Sequence, residues 1–330
     1  MRVFKVAVAI LYHGSRWEAL RKVLESLSKL EYDKENTMLI LVNNKACEET
    51  VEIVRKWLVE NENNFERTIH VELDGNVPKL RNFCLRKAIE LSYSHVFFVD
   101  SDVILSRDSL RRLLKIFEHD EENKIFAASL PYYIPLERDT VFTKIRAKYG
   151  VGSLATLQKS SGPYPVPSIG MGATLINLSL IPKVGYFDEE IPYIEDINLT
   201  RRATNMGYQV ILDPGVQLIH DKTMRTLNWL KFTFKLGEIE VKNMIRVGTW
   251  KSEVRGLTYW ILLLLSFFLI VLSPIPFIVL FAIGYLSYFR KFRGIGKIIG
   301  FPIVSVHKTI RSAGIVVGLF IYMIHKIKRK

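Results

Sequence analysis

The stretch Val96-Phe97-Phe98-Val99-Asp100-Ser101-Asp102-Val103 decides how this chain is read. Four apolar residues in a row, two of them β-branched, are the pattern of a buried strand. The run ends in two carboxylates with one small residue between them. Side chains alternate along an extended chain, so the spacing predicts that Asp100 and Asp102 point the same way off the strand end. In open α/β sheets ligands bind outside the carboxyl ends of the strands. Two like charges held that close call for a cation, and a hard divalent ion carrying a substrate's phosphates supplies one. The same residues also suit a plain polar turn in which Ser101 or Asp102 caps the next helix. The stretch alone leaves both readings open.

Working outward, residues 3–12, 38–42, 69–73 and 95–99 read as strands. Helical spacing fills 16–29 (Trp17, Leu20, Leu24, Leu27), 48–59, 79–92 and 109–118. Strand and helix therefore alternate four times, which predicts βαβ units, a parallel sheet and an α/β fold class. No glycine-rich phosphate loop follows the first strand, so the phosphates need another holder, which favours a metal on the Asp pair. After 125–130 the alternation stops. Residues 150–172 are rich in Gly, Ser and Pro and read as a flap beside an acceptor site, or as an irregular crossover. Glu195 and Asp196 open a short helix, where carboxylates suit the positive end of the dipole and where one could also act as a general base. Residues 207–212 return as a strand, and 216–219 lead to His220, a surface histidine or a further metal ligand.

Charge is unevenly spread. The chain of 330 residues carries 46 Lys+Arg against 33 Asp+Glu, a net of +13. Residues 222–330 hold 18 of those bases and only 3 of the acids, a net of +15, which leaves 1–221 at −2. All the excess positive charge lies in the apolar C-terminal third. That is the pattern of a membrane-surface anchor and speaks against a nucleic-acid groove. Cys47 and Cys84 form neither metal spacing nor a disulfide framework, which points to a reducing compartment. The apolar run at 6–12 is too short for a signal peptide and reads as a first buried strand.

Residues 226–247 carry Lys231, Lys235, Glu238, Lys242 and Arg246 every three or four positions, with Leu230, Phe234, Ile239, Met244 and Ile245 between them. That predicts an amphipathic helix lying in a membrane interface. Residues 257–289 hold no charge and are broken only by Ser273-Pro274-Ile275-Pro276, which predicts a transmembrane hairpin with a Pro turn. Basic residues at both ends place those ends, and the catalytic domain, on the cytoplasmic side. Within 298–325, Lys308 and Arg311 divide two shorter apolar runs, read as interfacial or re-entrant helices, and a basic tail follows. The expected domains are thus 1–225, an interfacial helix and linker at 226–256, and membrane helices at 257–330.

One ordered set of residues carries a resemblance. Asp100-Ser101-Asp102, Gly185-x-Phe187-Asp188-Glu189, Glu195-Asp196-x-x-Leu199-x-x-Arg202, Gly207-Tyr208 and His220 resemble the family 2 glycosyltransferases of GT-A fold. Residues 75–82, ending in Arg81-Asn82, resemble the loop before that family's Asp motif. The likeness covers roughly residues 3–221 and implies a Rossmann-like, mostly parallel sheet flanked by helices. It further implies that Asp100 contacts the ribose or the metal, that Asp102 binds the metal with His220 as a further ligand, and that Asp196 is the catalytic base beside Glu195. Leu11, Tyr12, His13 and Asn43 would line the nucleotide pocket, with Arg81 near the base. Asn43-Asn44 stands where the family often has an acid, so the base is undetermined between UDP- and GDP-linked donors.

The expected activity is transfer of a single sugar, since the Q-x-x-R-W motif of processive synthases is missing. The expected cofactor is Mn or Mg, the acceptor a lipid or lipid-linked glycan at the cell membrane, and the mechanism inverting. Alternatives are a polyprenyl-phosphate glycosyltransferase that needs no general base, a sugar-phosphate nucleotidyltransferase, and a non-catalytic membrane scaffold.

Overall fold

This computed structural model describes residues 3–14, 17–133, 162–221, 226–247, 262–263, 265–267, 269–270, 272–289 and 296–328. They fall into two compact units, one within 3–133 and 162–221, the other within 226–328.

In the first unit the expected alternation is present. In chain order it runs β1 (Val6–Gly14), α1 (Trp17–Ser28), β2 (Thr37–Ala46), α2 (Glu48–Glu60), β3 (Arg67–Glu72), α3 (Val77–Glu90), β4 (His95–Asp100) and, after the two-residue β5 (Val103–Ile104), α4 (Ser109–Glu118). Strands β6 (Ile125–Ser129), β7 (Tyr132–Tyr133), β8 (Tyr164–Pro165), β9 (Ala173–Asn177), β10 (Gln209–Leu212) and β11 (Leu218–His220) follow, with the helix Glu195–Asn205 between β9 and β10. The described strands form an eight-stranded sheet in the order β3-β2-β1-β4-β9-β6-β10-β8 and a small sheet β5-β11-β7.

β4 is central because its side chains are apolar on both faces. Phe97 and Val99 enter one core cluster with Leu20, Leu24 and Leu113. Val96 and Phe98 enter the other with Leu80, Leu85 and Leu199. Burying a side chain of that size is worth roughly 1.5–3 kcal/mol, so the two-sided strand fixes the layers of helix above and below it. Strands β3, β2, β1 and β4 are parallel. β9 then runs antiparallel to both β4 and β6. The sheet is therefore mixed: the expected parallel pairing holds through its first half and again between β6 and β10. β9 lies directly after the glycine-rich stretch and was not foreseen as a strand. Of the expected flap, 150–161 lie outside the described residues. Residues 162–172 are ordered into the sheet edge, with β8 pairing β10.

The second unit is built on a helix pair, Thr226–Val247 and Gly296–Lys328. The first matches the predicted amphipathic helix, and Lys231, Lys235, Lys242 and Arg246 are exposed on it. The two helices touch backbone to backbone. A Cβ on Gly237 would stand 2.1 Å from Arg311 O, and one on Gly314 would stand 2.1 Å from Phe234 O. Arg311 is ion-paired with Glu240 beside this contact, and Val241, Met244 and Ile315 pack next to it.

The prediction for 298–325 is corrected: it is one continuous helix. One of the two charges that seemed to divide it, Arg311, is paired with Glu240 on the partner helix. Among the described residues no helix is long and apolar enough to cross a membrane. The expected hairpin at 257–289 lies partly outside the described residues. Its described second half, Ile275–Phe289, has 15 residues, about 22 Å at 1.5 Å per residue, short of a hydrocarbon core of about 30 Å.

Candidate active site

The site lies at the carboxyl edge of the parallel strands, where register lines up its residues. Leu11 of β1 stands opposite Asp100 of β4, and Tyr12 opposite Asn43 of β2. β4 ends at Asp100, and Ser101-Asp102 form a turn before β5. Strand alternation stops there, and each of the two carboxylates has its own partner.

Asp100 faces Arg81 of α3, with Nη2 3.1 Å from Oδ1. The other arm of the same guanidinium reaches Glu195 Oε1 at 2.5 Å. Arg81 is 7% exposed, and its guanidinium lies 5.8 Å from the ring centres of both Phe98 and Phe187. Removing Glu195 from the buried Arg81–Glu195 pair costs on the order of 3–5 kcal/mol, because the remaining charge is stranded. Arg81, expected near a nucleobase, is instead committed to the two carboxylates. Glu195 is 4% exposed, and its Oε2 has no hydrogen-bond partner among the described residues.

Three carboxylates, Asp100, Glu195 and Asp196, thus share one guanidinium. Burial pushes Glu195 up to about 7, against the pull of Arg81 and with a further push from Asp196. Burial also raises Asp196, opposed by Arg81 and by the Ile197 N–H, which donates to Asp196 Oδ1 at 2.7 Å. A carboxylate raised in this way is a stronger base when ionised.

Two local devices hold this helix start in place. Gly185 takes φ +87°, and Arg202 donates to the carbonyls of Val184 and Tyr186, each at 2.5 Å. Asn82 clamps Phe187 from both sides, its Nδ2 donating to Phe187 O at 2.9 Å and its Oδ1 accepting from Phe187 N at 2.9 Å. The Gly185–Glu189 turn and Arg81-Asn82 are therefore one packed assembly that delivers Glu195 and Asp196 to the edge.

Asp102 forms a second centre. It is 7% exposed, and Oδ1 lies 2.9 Å from His220 Nε2. β11 pairs antiparallel with β5 so that His220 stands opposite Val103, one residue beyond Asp102. Asp221 N donates to Asp102 O at 2.6 Å, and Lys22 of α1 holds the Asp221 side chain at 2.7 Å. Among the described residues no three His, Cys, Asp or Glu side chains are grouped closely enough to hold a metal ion. Of the expected trio, Asp102 and His220 are paired with each other and Asp100 is paired with Arg81.

Of the expected nucleotide-pocket residues, His13 is exposed and Leu11 half-buried. Tyr12 is 1% exposed and turns inward, its hydroxyl 2.6 Å from His70 Nε2. Asn43 is buried, and its side-chain oxygen accepts from Ala46 N at 2.8 Å. Neither of those two side chains is presented to the cleft.

Tyr132 was not foreseen. Its ring stands edge-on to His220, with centroids 5.1 Å apart at 87°. Burial, Asp100 and Asp196 raise its pKa, so it stays a neutral hydroxyl. The one signal for it in the sequence is the pair of glycines at 170 and 172, which leave room for its ring.

Comparison with known proteins fits this geometry. A family model described as glycosyl transferase family group 2 matches residues 95–323, and a second, glycosyl transferase family 2, matches residues 7–165. Procollagen galactosyltransferase 1-A of Xenopus laevis is 29% identical over 131 residues, 33% of this chain and 21% of that protein. The chain therefore spans about a fifth of the length of the curated relatives it matches.

Among solved structures, the mannosyltransferase PcManGT from Pyrobaculum calidifontis, in complex with GDP-Man and Mn2+, superposes with a TM-score of 0.63. It is 14% identical, and the match covers 96% of this chain and 88% of that one. GalNAc-T7 with UDP, GalNAc and Mn2+ gives 0.53 at 14% identity, over 74% of this chain and 48% of that one. At such identity these two speak for the GT-A-like fold alone. With a family model over most of its length and the mixed α/β architecture described above, the chain belongs to the family 2 glycosyltransferases.

Proposed function

We propose that this glycosyltransferase moves a single sugar from a UDP- or GDP-linked donor to a hydroxyl of a lipid or lipid-linked acceptor, with inversion and with the help of a divalent cation, at the cytoplasmic face of the cell membrane. The observation that carries this reading is the pairing of two centres at one sheet edge: Asp102–His220, and Glu195 bound to Arg81 with Asp196 next to it in the chain.

The donor set fits Mn or Mg. Such ions keep several waters and phosphate oxygens and need only one or two protein ligands, and the carboxylate suits both of them. Asp102 and His220 would hold the ion. Once bound, it would neutralise the charge that develops on the leaving diphosphate.

The chain's own residues do the rest. Asp196 takes the proton of the acceptor hydroxyl as its oxygen bonds to the anomeric carbon and the bond to the diphosphate oxygen breaks. A positioned base contributes about 10²–10⁴-fold to such a step. Arg81 fixes Asp100 and Glu195 in place beside it. Support for the donor class comes from the nucleotides named with the two solved relatives. Support for a membrane surface comes from the basic exposed residues of Thr226–Val247 and from exposed Phe232, Ile278 and Phe320.

The test is a panel of UDP- and GDP-sugars assayed for turnover with Mn2+ and with EDTA. One donor class turned over only with metal is the expected result. Turnover unaffected by EDTA would remove the metal from the account.

A further inference from the structure

We infer that Tyr132 and Asp196, which approach each other over the bare backbone of Gly170, together form the seat of the attacking hydroxyl. The inference rests on the proposed transfer to a hydroxyl and names the residues that hold it.

Gly170 is not explained by its backbone, since its φ does not lie in the left-handed region. It is explained by crowding. The point where a Cβ would stand is 3.0 Å from Tyr132 Oη and 3.4 Å from Asp196 Oδ2, and no other group beyond its chain neighbours comes within 4 Å. A phenol and a carboxylate oxygen, a donor and an acceptor, thus close on one point over Gly170.

Both walls are held. A Cβ on Gly172 would fall 2.4 Å from Tyr132 Cε1 and 2.8 Å from Cζ, so the ring lies flat on that glycine. Its edge meets His220 at 5.1 Å. The Gly170 segment is tied down by Thr174 Oγ1, which donates to Gly170 O at 2.6 Å. Ile169 N donates to Thr200 Oγ1 at 3.2 Å, which fastens the same segment to the helix that begins with Asp196. Asp196 Oδ1 accepts from Ile197 N, and Oδ2 is the oxygen that borders the seat.

In this arrangement Tyr132 donates its O–H to one lone pair of the acceptor oxygen and keeps its proton throughout. The acceptor's own proton passes to Asp196. The oxygen's other lone pair forms the bond to the anomeric carbon, and the electrons of the broken bond leave on the diphosphate.

Water is the smallest occupant of the seat, so hydrolysis of the donor found in the panel, by the full-length chain with Mn2+, is the assay. Tyr132→Phe keeps the ring and its contacts and removes one hydrogen bond. It should lower kcat about tenfold, the rate equivalent of roughly 1.4 kcal/mol, with donor KM unchanged. Gly170→Ala places a methyl against Tyr132 Oη and Asp196 Oδ2, which pushes the two apart, and should lower kcat likewise, again with donor KM unchanged. On an Asp196→Asn background, Tyr132→Phe should add less than about threefold, because groups acting on one atom are not additive.

Wild-type kcat in either single variant, or a raised donor KM in place of a lowered kcat, overturns the seat while leaving the proposed function standing. A wild-type chain that binds neither UDP nor GDP and turns over no donor overturns the proposed function and the seat with it.

Discussion

At the residue scale the site is governed by a shortage of positive charge. Arg81 meets Asp100 and Glu195 directly, and Asp196 stands beside them, so one guanidinium serves three carboxylates and a proton is retained among them. Burial is the main cause, and it holds Glu195 up to about 7. A carboxyl raised on folding stabilises the fold fully below its ordinary value, near 4.5, and that contribution is lost as pH rises through the folded value. Stability should therefore fall between about pH 4.5 and 7, by up to about 3 kcal/mol. Glu195→Gln should flatten that slope in thermal melts taken across the window. A wild type and variant with parallel Tm profiles there would show that Glu195 carries no such proton. The sequence marked Glu195 and Asp196 as a helix start, but not their tie to Arg81, which lies 114 positions away from Glu195. The inward turn of Tyr12 was hidden for the same reason: its partner His70 is 58 positions off.

At the element scale, periodicity was a good guide wherever one strand or helix buries itself by its own pattern. β1, β2, β4 and α1 to α4 are legible because their apolar spacing answers to the two core layers on either side of the sheet, and β3 because Ile69 and Val71 pack on one of them. β9 escaped because its five residues, all buried, follow Gly170-Met171-Gly172 and look like the end of a loop. The long helix Gly296–Lys328 escaped because Arg311 breaks the apolar pattern, and its acid, Glu240, sits on another helix. Thr226–Val247 was legible throughout, and its exposed bases make a specific forecast. Each basic residue near an anionic bilayer is worth about 1 kcal/mol. Replacing Lys231, Lys235, Lys242 and Arg246 by Gln should thus cut binding to phosphatidylserine vesicles by roughly two orders of magnitude or more in flotation at low salt. Undiminished flotation of that variant would show that this face is not the one that meets lipid.

At the scale of the whole molecule, the account joins a catalytic unit of near-neutral charge to a basic helical one. The membrane hairpin expected from 257–289 does not appear as a spanning helix among the described residues, and surface binding through basic and apolar side chains takes its place in the proposal. The motif Asp100-Ser101-Asp102 was visible at once, yet its geometry was not. A turn after Asp100 sends the two carboxylates to different partners, and only tertiary pairing of β11 with β5 brings His220 to Asp102. The central claim is that Asp102 with His220 holds the cation that carries the donor's diphosphate. Its most direct measurement is calorimetric titration of UDP and GDP into wild type and Asp102→Asn, with Mn2+ and with EDTA. The account predicts that wild type binds one nucleotide at least about tenfold more tightly with Mn2+, a difference of roughly 1.4 kcal/mol, and that Asp102→Asn loses this gain while its Tm stays close to that of wild type. Equal metal-dependent affinity in wild type and Asp102→Asn would contradict it.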